Sequence, residues 1–128
     1  MTNAPADQQL FLISQHAIDP GTCVVCVEGE LDLTTAPRLK MALHEMLHAG
    51  FKQIVVDLAE VSFLDSTSLG VLIGVKRSLD PGARLAIVCK HPNVIRIFEF
   101  AGLDVTFATF SDFDEALAHV RGSADPAS

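Results

Sequence analysis

Apolar positions recur along the chain with two alternating periods. Leu10–Ile13 is a short apolar run that predicts a strand. Asp19-Pro20-Gly21 is a turn by composition, and Thr22–Glu28, rich in Val and Cys, predicts a second strand hairpin-paired with the first. Gly29-Glu30-Leu31-Asp32 is read as a loop. Thr34 or Thr35 can then cap a helix with Pro37 in its first turn. Leu39, Ala42, Leu43, Met46 and Leu47 keep helical spacing, and Gly50 stops it. Gln53–Leu58 predicts a buried strand, and Asp65-Ser66 opens a helix over Thr67–Leu79 that ends before Asp80-Pro81-Gly82. Arg84–Cys89 predicts a strand, Pro92–Phe100 a helix closed by Gly102, and Val105–Phe107 a short strand. The last helix spans Asp112–Val120, with Ser111 as its cap and Gly122 as its stop.

Strands alternating with helices predict an α/β domain: a mixed, mostly parallel sheet of about five strands, an antiparallel hairpin at one edge, and about four helices. The chain of 128 residues suits one such domain, expected over residues 9–121, with small-residue polar tails at 1–8 and 122–128.

Composition narrows the functional classes. Sixteen acidic residues against nine basic ones give a net charge of −7, which leaves no electrostatic footprint for nucleic acid and disfavours anionic membranes. No apolar run reaches the roughly 18–20 residues of a membrane span, and the N-terminus lacks the basic-then-apolar pattern of a signal peptide. Three cysteines make a disulfide framework an unsuitable reading. A soluble protein of the reducing cytoplasm is expected. Trp and Tyr are absent, so any interface must rely on Phe, aliphatic side chains, backbone and charge.

Several motifs carry candidate chemistry. His44-Glu45-Met46-Leu47-His48 spells the H-E-x-x-H of zinc proteases. Its histidines are expected on the solvent side of the helix, over 90° from the Leu39, Leu43 and Met46 stripe, and no third ligand motif follows; no metal site is expected. Cys23-x-x-Cys26 lies within a strand, where residues three apart point to opposite faces, so it reads as two small buried hydrophobes rather than a redox pair. Cys89 is read the same way. The glycine-rich turn of a nucleotide-binding fold is missing after the first strand, as are the G-x-S-x-G elbow of a serine hydrolase and the acidic pair of a receiver domain.

The stretch Val55–Arg77 stands apart. Asp65, Ser66 and Thr67 sit where a helix begins, near free amides and the positive end of the helix dipole. A hydroxyl there can simply cap the helix, or it can carry a phosphate. Within that helix Leu69, Leu72, Ile73 and Leu79 are expected to form the core stripe, with Val71 and Val75 elsewhere. Gly70 and Gly74 each cost about 1 kcal/mol against Ala in a helix interior, which points to close approach by the sheet or by a partner.

At these residues the sequence resembles the STAS domain of bacterial anti-sigma factor antagonists. Gly29-Glu30-Leu31-Asp32 is similar to the family's G-E-[IL]-D, and Thr35-Ala36-Pro37 followed by Leu39 to its first-helix entry. Val55-Val56-Asp57-Leu58, Phe63-Leu64-Asp65-Ser66 and Leu69-Gly70-Val71-Leu72 resemble its most specific stretch. Phe98–Asp104 with Phe107, and Asp114–Leu117, resemble the late elements. Ser68 stands where the family usually has Gly.

The resemblance implies a non-catalytic binding protein without a cofactor of its own. Its unphosphorylated form would bind an anti-sigma factor that is also a serine kinase, and so free a sigma factor. The kinase, carrying the ATP, would phosphorylate Ser66, and a serine phosphatase would reverse this. Asp32, Asp65, Thr67, Ser68, Leu69, Gly70, Val71 and Gly74 would line the partner surface. The alternative is a STAS scaffold or accessory subunit in a stress-signalling complex or beside a lipid-transport ATPase.

Overall fold

Strand β1 (Leu12–Asp19) folds back through Pro20 and Gly21 onto β2 (Thr22–Leu31). The Asp19 carboxylate fixes the turn by accepting the Gly21 amide at 3.0 Å. This is the antiparallel hairpin expected from the turn composition, in a computed structural model that describes residues 10–122. Then follow α1 (Ala36–His48), β3 (Gln53–Leu64), α2 (Ser66–Arg77), β4 (Arg84–Cys89), α3 (Pro92–Phe100), α4 (Leu103–Thr106), β5 (Ala108–Phe110) and α5 (Phe113–Arg121). The sheet order is β1-β2-β3-β4-β5, antiparallel between β1 and β2 and parallel thereafter. The expected tail at 1–8 and residues 123–128 of the expected tail at 122–128 lie outside the described residues, while Gly122 is the left-handed C-cap of α5.

The strand pleat sorts the apolar residues onto two faces. Val25, Val27, Ile54, Val56, Leu58 and Ile87 pack on one side against α1, α2 and α3 through Leu39, Leu43, Leu72, Val75, Val94 and Phe98. Val24, Val55, Ala86 and Val88 point the other way, onto Ala116 and Val120 of α5. Cys23 belongs to the first face and Cys26 to the second, so the C-x-x-C sulfurs are on opposite sides of the sheet and all three cysteines are free.

Several expectations change, and β3 runs on through Leu64, past its expected end at Leu58. β1 lies at 12–19, not 10–13, because it is an edge strand held by pairing with β2 while most of its side chains face water. β2 continues through Gly29–Leu31, expected as a loop, because Leu31 is fully buried and in register with Leu64. Irregularities between Cys26 and Glu28 and between Gly29 and Glu30 accommodate this extension, and Gly29 takes φ +108°, a conformation suited to glycine. Residues 105–107 are not a strand: buried Leu103 and Phe107, four apart, anchor the single turn of α4 after left-handed Gly102, and Val105 faces water. β5 begins at Ala108, just past the expected Val105–Phe107, and the described residues form five helices where about four are expected. Finally, α5 is capped by Asp112, not Ser111; its carboxylate accepts the Glu115 amide at 3.0 Å.

Candidate functional site

β2 and β3 end together. Leu31 pairs with Leu64, and the Asp65 amide donates to the Leu31 carbonyl at 3.1 Å. Asp32 and Asp65 therefore leave neighbouring parallel strands at the same level, at the carboxyl edge where open α/β sheets present their ligand sites.

The two acids do different local work. The Asp32 carboxylate accepts the Thr34 hydroxyl at 2.8 Å, the Thr34 amide at 2.9 Å and the Thr35 amide at 3.1 Å. The Thr34 hydroxyl, followed by the Thr35 amide, holds its pKa below the ordinary carboxylate value. Thr35, at the N-cap of α1 as one of the two expected residues, does not cap with its side chain. Its hydroxyl accepts the Asp32 amide at 2.8 Å and lies 2.9 Å from the Glu30 carbonyl, to which it donates, tying the loop to β2.

Asp65 is the N-cap of α2. Its Oδ1 accepts the Ser68 amide at 2.9 Å and the Ser68 hydroxyl at 3.0 Å, and its carbonyl accepts the Leu69 amide at 3.0 Å. Of the first-turn donors, the amides of Ser66 and Thr67 are left to solvent or to an incoming acceptor. Ser66 is the first helical residue, and both it and Thr67 are exposed. The histidine hydrogen bonds among the described residues, His16 with Ser14 and Asn93 with His91, lie elsewhere. Among the described residues no histidine is hydrogen-bonded to Ser66, whose side chain is exposed.

Ser68 is fully buried, which corrects its expected place on the partner surface and removes it as an accessible hydroxyl. The buried face of α2 is Ser68, Leu72 and Val75, so Val75, expected off the core, is in it, while Leu69, Ile73 and Leu79 are only partly covered. α2 packs against α1 and buries this face in the core it shares with the sheet. Gly70 and Gly74 are exposed, and a Cβ at either would meet nothing within 4 Å. The sheet therefore does not require them.

Those glycines, Thr67 and Val71 form one wall of a groove of about 450 Å³ whose other wall is α1, through Lys40 and His44. His44 is half-buried there, not on the solvent side as expected, whereas His48 is exposed. Among the described residues no three histidine, cysteine or acidic side chains converge as a metal site. Exposed Leu33, in the Asp32 loop, and Phe63, near the end of β3, add apolar surface on these flanks. The sequence singles out neither Lys40 nor Leu33, and it marks His44 only within the H-E-x-x-H string and Phe63 only within the family-like stretch. The i, i+4 spacing of Lys40 and His44 marks a shared helix face, but only packing shows that it borders α2.

The profile of the STAS domain family matches residues 15–116. The chain is 33% identical over 102 residues to the anti-sigma-F factor antagonist RsfB of Mycobacterium tuberculosis, covering 80% of this chain and 84% of that protein. It is 39% identical over 80 residues to the anti-sigma-B factor antagonist of Staphylococcus aureus, covering 62% and 74%. A crystal structure of an anti-sigma factor antagonist from Mycobacterium paratuberculosis superposes with a TM-score of 0.79 at 32% identity, covering 91% of this chain and 97% of that one.

Proposed function

The chain belongs to the STAS domain family, and from that premise we propose that it is an anti-sigma factor antagonist switched by phosphorylation of Ser66. In the unphosphorylated state the surface built on Asp32, Asp65, Thr67 and the Leu69–Val71 and Gly74 positions of α2 docks an anti-sigma factor. That docking frees a sigma factor. The chain acts by binding, not by catalysis, and needs no cofactor of its own. Such regulation belongs to the cytoplasm, and no described helix is long and apolar enough to cross a membrane.

The observation that supports this reading most strongly is the exposure of Ser66 as the first residue of α2, beside capping Asp65. In the transfer step the kinase partner's ATP gives its γ-phosphoryl group to the Ser66 hydroxyl. A P–O bond forms to Oγ, the β–γ bridge breaks to release ADP, and the hydroxyl proton passes to a base of the kinase or to water. A phosphatase restores the hydroxyl by hydrolysis. The new group brings about −1.5 to −2 charges, which the free first-turn amides can hold without unfolding the domain.

Mass spectrometry of the chain after incubation with the kinase partner and ATP tests the acceptor. Phosphate is expected on Ser66 and absent from Ser66→Ala. Exposed Thr67 is the rival; normal phosphorylation of Ser66→Ala would overturn the assignment and favour a scaffold role.

A further inference from the structure

A second cavity lies on the same carboxyl edge of the sheet, at the far side from Ser66. It has a volume of about 160 Å³ and opens where β4 and β5 end beneath α3. An apolar protein cavity of about 150 Å³ is large enough for one benzene ring. Cys89 and Phe98 are almost wholly buried, at 4% and 2% exposure, and Phe110 also lines the space.

Its walls are held from behind. The Phe98 ring packs edge-on against Phe107, with centroids 6.2 Å apart and planes at 64°. Phe110 leans on His119 at 5.4 Å. The Cys89 thiol has no hydrogen-bond partner among the described residues, and burial pushes its pKa up to about 12, so it stays neutral. The cavity interior is therefore preformed and uncharged.

Its lining also carries charge of one sign. Glu99 from α3 and Asp104 from α4 reach it from two elements, and no basic side chain lines it. The ion pair among the described residues joins Arg121 to Asp19, so neither carboxylate is paired within the described chain. Arg96 and Lys90 are nearby in sequence but do not line the cavity.

We propose that this cavity is a binding site for a small organic cation, with a single-ring or short-alkyl body among Cys89, Phe98 and Phe110 and an ammonium group at Glu99 and Asp104. The carboxylates supply the attraction, the rings add a cation–π component, and an anion of the same shape is repelled. The site is independent of the Ser66 surface, so an occupant would give the domain a second input.

Amide-resolved NMR titration of the full chain with phenethylammonium, and separately with phenylacetate at matched ionic strength, tests it. Saturable shifts are expected at Cys89, Glu99, Thr109 and Ser111, with the cation binding about tenfold or more tighter than the anion. Glu99→Gln with Asp104→Asn changes only exposed side chains and should remove that preference while circular dichroism stays unchanged. Absence of saturable shifts with the cation, equal binding of the anion, or a preference that survives the double substitution would each overturn the proposal.

Discussion

Asp65 joins the end of a strand to the start of a helix, and one oxygen carries much of that role. Replacing it by Ala removes the α2 cap and leaves the buried Ser68 hydroxyl without its acceptor. Together these should cost about 1–3 kcal/mol, read as a lower urea midpoint at unchanged slope. Asp65→Asn, which keeps an acceptor, should lose less. Asp32 makes a pH-dependent contribution. Its pKa is depressed on folding, chiefly by the Thr34 hydroxyl, so its stabilisation is present above the unfolded value near 3.8 and is lost as pH falls through the folded value. Stability of Asp32→Asn, measured by denaturant titration at neutral pH and near pH 3, should therefore fall less on acidification than that of the parent. The thiols divide by burial. Burial raises Cys23 to about 11 and Cys89 to about 12, and both are almost wholly buried, whereas Cys26 is half-buried. Three thiols should titrate in denaturant, and in the native protein Cys26 should react first; fewer than three in denaturant would reveal a disulfide.

At the scale of elements, legibility in the sequence followed burial. β4 and α3 have the bounds expected, because RLAIVC is buried at five of six positions and His91-Pro92 marks the next start by local chemistry. β1 was legible as a strand but not in its bounds, because an edge strand needs no apolar alternation, and the second half of β3, Ala59–Leu64, escaped because its pairing with β2 is irregular. α4 escaped because two anchors at i and i+4 outweighed the strand preference of Val105 and Thr106. The same distinction applies at the candidate site. Asp65 and Ser66 could be placed from capping rules, but the burial of Ser68 and the turn of His44 into the groove depend on how α1 meets α2. Gly70 and Gly74 give an element-scale test. They lie in a helix interior with open space around them, so Gly70→Ala and Gly74→Ala should each stabilise the fold by up to about 1 kcal/mol. If the groove receives a partner's backbone, the same changes should weaken binding. Thermal unfolding and partner affinity, measured on each variant, should move in opposite directions. Gly29→Ala should instead destabilise, since its φ is +108° and a Cβ there would collide with the Leu10 carbonyl oxygen.

For the whole molecule, the switch depends on a fold that tolerates a phosphate and an interface that does not. The chain already carries a net charge of −7, and Asp32 and Asp65 flank the acceptor level of the sheet. Docking would strip water from the new phosphate, and an unpaired buried charge costs several kcal/mol, where each 1.4 kcal/mol is tenfold in affinity. The domain itself has a place for the group at the α2 N-terminus. The decisive measurement is calorimetric titration of the anti-sigma partner with the unphosphorylated chain and with the chain stoichiometrically phosphorylated on Ser66, both checked by circular dichroism. Binding should weaken by about a hundredfold or more on phosphorylation while the spectra coincide; equal affinity in the two states would contradict the switch.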